Sequence, residues 1–120
     1  AIDFILETGF DSITMHEKGL TQICLDKLQS ETDVEIYGPT TMESRAGVVA
    51  FNLRGVHPHD VAQVLNESGI AVRAGHHCTQ VLHSKLGLQA SVRLSVGIYN
   101  TEEEILRLVT SLQHVRDLLK

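Results

Sequence analysis

Arg73, Gly75, His76, His77 and Cys78 fall within one run of six residues, RAGHHC. A sulfur nucleophile attacks as the thiolate, and cationic or polarising neighbours favour that form. Gly75 supplies the backbone freedom for a bend beside the thiol. The competing reading of Cys78 is a buried structural residue, since free cysteine is among the most buried types. The polar run around it argues for a reactive thiol. Cys24 is the internal control: with Leu20, Ile23 and Leu28 it lies on an apolar stripe at helical spacing, the position of core filler. These two cysteines allow one disulfide at most, which a reducing compartment disfavours.

Other side chains could take part. His76, His77, Cys78 and His83 are types that bind zinc, but adjacent residues in an extended loop point in opposite directions and no second Cys-x-x-Cys pair exists. No dedicated metal site is therefore expected. Arg93 sits between apolar residues in SVRLS, so its guanidinium should be partly enclosed and paired with a carboxylate or phosphate. From composition alone, a structural ion pair with one of the 15 acids is the favoured reading. His57 and His59 flank Pro58 at a helix start and read as exposed. The glycine loop is no phosphate cradle, because neither G-x-G-x-x-G nor a Walker pattern occurs.

The elements that must carry these residues are legible from periodicity. Ser12–Gln29 reads as an amphipathic helix, and VEIYGP from Val34 as a short strand. GVVAFNL, Gly47 to Leu53, is nearly continuous in apolar residues and reads as a fully buried strand. VHPHDVAQVLNESG is a helix with Pro58 in its first turn, Gly69 past its end, and Val61, Val64 and Leu65 inward. IAVRA reads as a strand running into the glycine loop, QVLHSKLG as a short helix, and SVRLSVGIY as a strand. The last helix opens on a capping box, Asn100 with Glu103 or Thr101 with Glu104, and carries a stripe from Ile105 to Leu119. Gly38–Gly47 reads as the loosest surface turn. This order predicts an α/β sandwich with helices covering a mostly antiparallel or mixed sheet, in one domain spanning residues 1–120.

Net charge is −5 and aromatics make up 4% of the 120 residues, so a basic field and a stacking platform for nucleic acid are both lacking. No apolar run approaches the roughly 20 residues that span a bilayer, and AIDFILETGF carries acids where a signal peptide would carry Lys or Arg. A cytoplasmic protein is expected. Ile2, Ile5 and Leu6 fall at helical spacing with no cap before them, as in a segment cut from a longer chain.

RAGHHCTQVL followed by SVRLSVGIYNTEEEI resembles the C-terminal small domain of cysteine desulfurases, pyridoxal-phosphate enzymes of aminotransferase class V. The SufS type, with its Arg-x-Gly-His-His-Cys signature, is the most similar branch. YGP and GVVAFNLRGVHPHDVAQVLNESGIAVRAGHHC extend the likeness over nearly the whole chain. The resemblance implies the small domain of a fold-type I transferase. It implies an enzyme that takes sulfur from L-cysteine, leaves L-alanine, and holds the sulfur as a persulfide on Cys78. An acceptor protein of the Suf system would then receive it for iron–sulfur cluster assembly. Arg93 matches the arginine that grips the substrate carboxylate, and Arg73 an arginine beside the same site. His59 lies where a histidine of the family can contact a zinc-containing scaffold. The whole enzymes of the family are homodimers. The family's pyridoxal-phosphate lysine lies in a domain N-terminal to this segment, and Lys18, Lys27, Lys85 and Lys120 sit in no matching context. The isolated domain is therefore expected to be inactive. The alternative is a stand-alone sulfur carrier without pyridoxal-phosphate chemistry. The chain departs from the family after the cysteine: Thr79–His83 replaces a proline-containing segment, which should loosen the loop's exit.

Overall fold

Apolar residues in this chain recur with period 3.6 in the helices and period 2 in the strands, and the two patterns meet at one layer boundary. The computed structural model describes residues 1–120. Its elements are α1 (Ile2–Thr8), α2 (Phe10–Gln29), β1 (Val34–Tyr37), β2 (Val48–Leu53), α3 (Pro58–Glu67), β3 (Arg73–Gly75), α4 (Gln80–Lys85), β4 (Ser91–Ser95) and α5 (Glu102–Leu119), with a 3-10 turn at Met42–Ser44. The strands form one sheet in the order β1-β2-β4-β3, antiparallel at every pairing.

Val49, Phe51 and Leu53 of β2 and Val92 and Leu94 of β4 point to one face. There they meet Leu20, Cys24, Leu25 and Leu28 of α2, Val61, Val64 and Leu65 of α3, and Ile105, Leu108, Leu112 and Val115 of α5. Burying each such side chain contributes about 1.5–3 kcal/mol. The opposite face carries Ala50, Asn52, Ser91, Arg93 and Arg73, and no long helix covers it. β2 is thus half-buried by alternation, where its composition predicts burial on both sides.

Helix ends follow their capping chemistry. Thr101 and Glu104 close a reciprocal capping box at the start of α5. After α3, Gly69 adopts φ +74 and donates to Asn66 O, while Ile70 N–H donates to Leu65 O at 2.9 Å, a Schellman stop. That bond occupies Ile70, so sheet pairing begins only at Arg73 and the strand expected over IAVRA shrinks to Arg73–Gly75. SVRLSVGIY is likewise shortened to Ser91–Ser95: Val96 N–H still donates to Gly47 O in register with β2, but Gly97 N–H is taken by the Asn100 side chain.

The turn at 38–47 is tied, contrary to its composition. Arg45 donates Nε to Pro39 O at 2.7 Å, Nη1 to Val48 O and Nη2 to Tyr37 O, each at 3.0 Å. α1 buries nothing, and Ile2, Phe4 and Leu6 are exposed. No helix is long and apolar enough to cross a membrane.

Candidate active site

Strand register brings the two arginines of the sequence analysis together. Arg73 on β3 stands directly opposite Arg93 on β4, on the outer face of the sheet. Directly opposed residues have Cβ atoms about 4.5–5.5 Å apart, where like charges destabilise the pair. The ion pairs of the molecule join Arg54 to Glu35, Arg116 to Glu31 and Asp33, and Lys120 to Asp33. Arg73 and Arg93 take part in none of them. Arg93 is half-buried, and its Nε–H is buried without any hydrogen-bond partner. The structural ion pair that would have explained Arg93 does not form.

β3 ends at Gly75, and the chain then makes a tight turn. His77 at φ 53 and Cys78 at φ 62 are the molecule's two non-glycine residues with positive φ. Such a conformation costs an L-residue roughly 1–2 kcal/mol. Cys78 is exposed on this turn, whereas Cys24 lies fully buried in the core. Burial pushes the Cys24 thiol up to about 12, against a smaller opposing pull from Arg45. The two cysteines therefore divide as their sequence contexts predict.

Side-chain hydrogen bonds hold the turn. Thr79 donates both its N–H, at 2.8 Å, and its hydroxyl, at 2.7 Å, to His76 O. His77 Nε2 lies 3.0 Å from Ser91 O and 3.1 Å from Ser91 Oγ, and His83 Nε2 lies 3.0 Å from the same Oγ. His83 Nδ1 lies 3.1 Å from Thr79 O. Since a carbonyl only accepts, His77 donates from Nε2 and His83 from Nδ1. The Ser91 hydroxyl then donates to His83 Nε2. Burial holds His77 below the ordinary histidine range. The charges of Arg93 and Arg73 push the same way, against the Ser91 carbonyl. Its Nδ1 is buried and unpaired.

His83 is buried at 5% exposure and packs against His76 and His77, with ring centroids 5.5 and 5.7 Å away. The segment after Cys78 is pinned by Thr79 and His83, where the missing proline led to an expectation of loosening. Ser91 was not singled out from the sequence. The available signal was its place two residues before Arg93 on a strand, hence on the same face. Asn52 fixes this strand start by donating to Ala90 O and accepting from Val92 N–H.

His57 and His59 are exposed and stack with centroids 5.2 Å apart. His57 Nδ1 caps α3 by accepting from His59 N–H, which leaves the His59 ring open to solvent. No group of three or more His, Cys, Asp or Glu side chains is placed to hold a metal ion. All four lysines are exposed. A cavity of about 260 Å³ between α5 and residues 69–71 contains neither Cys78 nor Arg93. The reactive side chains occupy the open sheet face instead.

The family model for aminotransferase class V matches residues 1–108. A cysteine desulfurase of Haloferax volcanii is 46% identical over 118 residues, covering 98% of this chain and 28% of that protein. A probable cysteine desulfurase of Streptomyces coelicolor is 45% identical over 117 residues, again 98% and 28%. The apo structure of the Thermococcus onnurineus cysteine desulfurase superposes with a TM-score of 0.92 at 36% identity, over 98% of this chain and 29% of that one. The Escherichia coli cysteine desulfurase CsdA does so at 0.89 and 26%, over 99% and 29%. The chain thus spans about 28% of the length of these curated relatives.

Proposed function

The chain belongs to the aminotransferase class-V family, and from that premise we propose that residues 1–120 are the C-terminal small domain of a cysteine desulfurase of the SufS type. The observation that carries this reading is the half-buried Arg93, unpaired by any acid, opposite Arg73 and on the strand that anchors the Cys78 turn. Two adjacent guanidiniums without a protein counter-ion suit a carboxylate ligand. A bidentate Arg93–carboxylate pair would orient an amino acid, and Arg73 would add charge at the same spot.

L-cysteine held this way presents its sulfur to Cys78. The Cys78 thiolate attacks that sulfur, and an S–S bond forms as the carbon–sulfur bond breaks. The bonding pair stays with the carbon fragment, where the cofactor proposed for the whole enzyme would act as the electron sink, and that fragment takes up a proton and leaves as L-alanine. The product on the protein is a Cys78 persulfide. Exposure of the turn lets the persulfide reach an acceptor, for which a Suf-system scaffold is proposed, with His59 as a contact. Gly75, His76 and His77 shape the surroundings of the thiol.

Pyridoxal phosphate is the proposed cofactor of the whole enzyme. These residues do not fit a site for it, since the four lysines are exposed and Lys120 is paired with Asp33. The lysine is assigned to polypeptide outside residues 1–120. A cytoplasmic homodimer is the proposed setting.

The test uses the full-length polypeptide with L-cysteine and a reductant. Alanine and sulfide should appear in equal amounts. Cys78→Ser should abolish both, and Arg93→Lys should raise KM by about tenfold or more through loss of the bidentate pair. Turnover retained in Cys78→Ser would refute the assignment.

A further inference from the structure

His83 is nearly fully buried, yet it lies on a six-residue helix at the surface and spends both ring nitrogens on hydrogen bonds. One goes to the Thr79 carbonyl, one residue past Cys78. The other meets the Ser91 hydroxyl, which the His77 ring also reaches, one residue before Cys78. His83 therefore grips the chain on both sides of the thiol, and the bridge between His83 and His77 is a single serine on the strand of Arg93.

We propose that His83 is a positioning residue for the thiol: through Ser91 and His77 it holds the left-handed pair His77–Cys78 over the Arg93 strand. The inference rests on the reading of Cys78 as the desulfurase nucleophile. Two L-residues in left-handed conformation revert to commoner backbone angles unless something over-determines them. The His77–Ser91–His83 chain does so, because His77 cannot rotate out of this conformation without leaving both Ser91 oxygens. Arg93 belongs to the same strand two residues on, so the bridge also sets the thiol's distance from the substrate carboxylate. Binding of L-cysteine depends on the arginines and not on this bridge, so its loss should fall on sulfur transfer.

The experiment compares His83→Leu, Ser91→Ala, the double variant, His83→Gln and Cys78→Ser in the full-length polypeptide. It measures kcat and KM for L-cysteine, Cys78 persulfide by mass spectrometry in a single turnover, and hydrogen exchange at the Thr79 amide. His83→Leu and Ser91→Ala should each lower kcat and the persulfide rate about tenfold, with KM changed less than twofold. The double variant should be no worse than His83→Leu alone, since His83→Leu already opens the bridge at Ser91 along with the bond to Thr79 O. His83→Gln can still accept from Ser91 and should recover at least half of the loss. Thr79 should exchange faster in His83→Leu. A loss carried by KM, an equal defect in Gln and Leu, an unchanged Thr79 amide or unchanged kcat would each overturn the proposal. If His83→Leu does not fold, the kcat and KM of Ser91→Ala decide alone. Turnover surviving Cys78→Ser would sink the nucleophile reading instead. Full activity of His83→Leu beside an inert Cys78→Ser would sink only the positioning role.

Discussion

Replacing Arg93 by methionine should stabilise the fold while destroying substrate binding. The half-buried Arg93 guanidinium has two unfavourable features in the free protein. Its Nε–H is buried without an acceptor, which costs about 1–3 kcal/mol. It also faces Arg73 across the strands, a like-charge opposition worth about 0.2–1 kcal/mol. Methionine keeps most of the aliphatic stem and removes both. The net gain is about 2 kcal/mol, or roughly 6–10 °C in Tm for a chain of this size. Thermal and urea unfolding of the wild type and Arg93→Met, each with and without L-alanine, measure it. On the proposed function, L-alanine, which carries the carboxylate but no sulfur, should bind without transferring sulfur. At about ten times its Kd it should stabilise the wild type by about 1.4 kcal/mol and leave Arg93→Met unmoved. A variant less stable than wild type by more than about 1 kcal/mol would refute the reasoning, because it would show that a structural partner holds the guanidinium.

Two more perturbations separate other parts of the structure. In the native protein, iodoacetamide should modify Cys78 and spare Cys24, which is fully buried with its thiol pushed up to about 12; peptide mapping that finds Cys24 labelled at native pH would contradict the core assignment. Hydrogen bonds from Arg116 hold the Asp33 carboxyl well below the usual carboxylate range, with Lys120 adding to the effect against a smaller burial cost. The folded pKa is the lower one, so this contribution is complete above the unfolded value near 4 and fades as pH falls through the folded value. Asp33→Asn should cost about 1–2 kcal/mol at pH 7, and urea titrations at falling pH should show the gap between the two proteins closing below pH 4.

The architecture was legible where one local rule decided the outcome. The α5 stripe from Ile105 to Val115, the Thr101–Glu104 box and the Pro58–Gly69 brackets of α3 are patterns within one element and appear as their patterns demand, while Leu119, expected to end the stripe, is exposed. Strand ends depart from their sequence patterns where a competing hydrogen bond decides them. Ile70 is consumed by the stop of α3, and Gly97 by the Asn100 side chain. The burial of β2 was overestimated because composition cannot say that all three long helices lie on one side. At the candidate site, residue type singles out Cys78, whereas the roles expected of Arg73 and Arg93 come from the family resemblance. The opposition of the two arginines depends on register, and the His83–Ser91–His77 bridge on a turn with two left-handed residues. Neither follows from a one-dimensional pattern.

Where the molecule violates local rules is itself informative. Both non-glycine residues with positive φ, His77 and Cys78, lie on one turn. Both buried polar side-chain atoms without partners, His77 Nδ1 and Arg93 Nε, lie beside it, and so does the unneutralised arginine pair. These are a backbone violation, a hydrogen-bonding violation and an electrostatic violation, with no common structural cause. A poorly packed domain would scatter such costs over its loops. Here the 38–47 turn is tied by Arg45, α3 and α5 carry side-chain caps, and the core face of the sheet alternates cleanly. Costs concentrated at one corner of an otherwise consistent fold are maintained for what that corner binds. An anion between the arginines would relieve two of the three at once, and the third holds the exposed Cys78 on a turn bonded to the strand of Arg93.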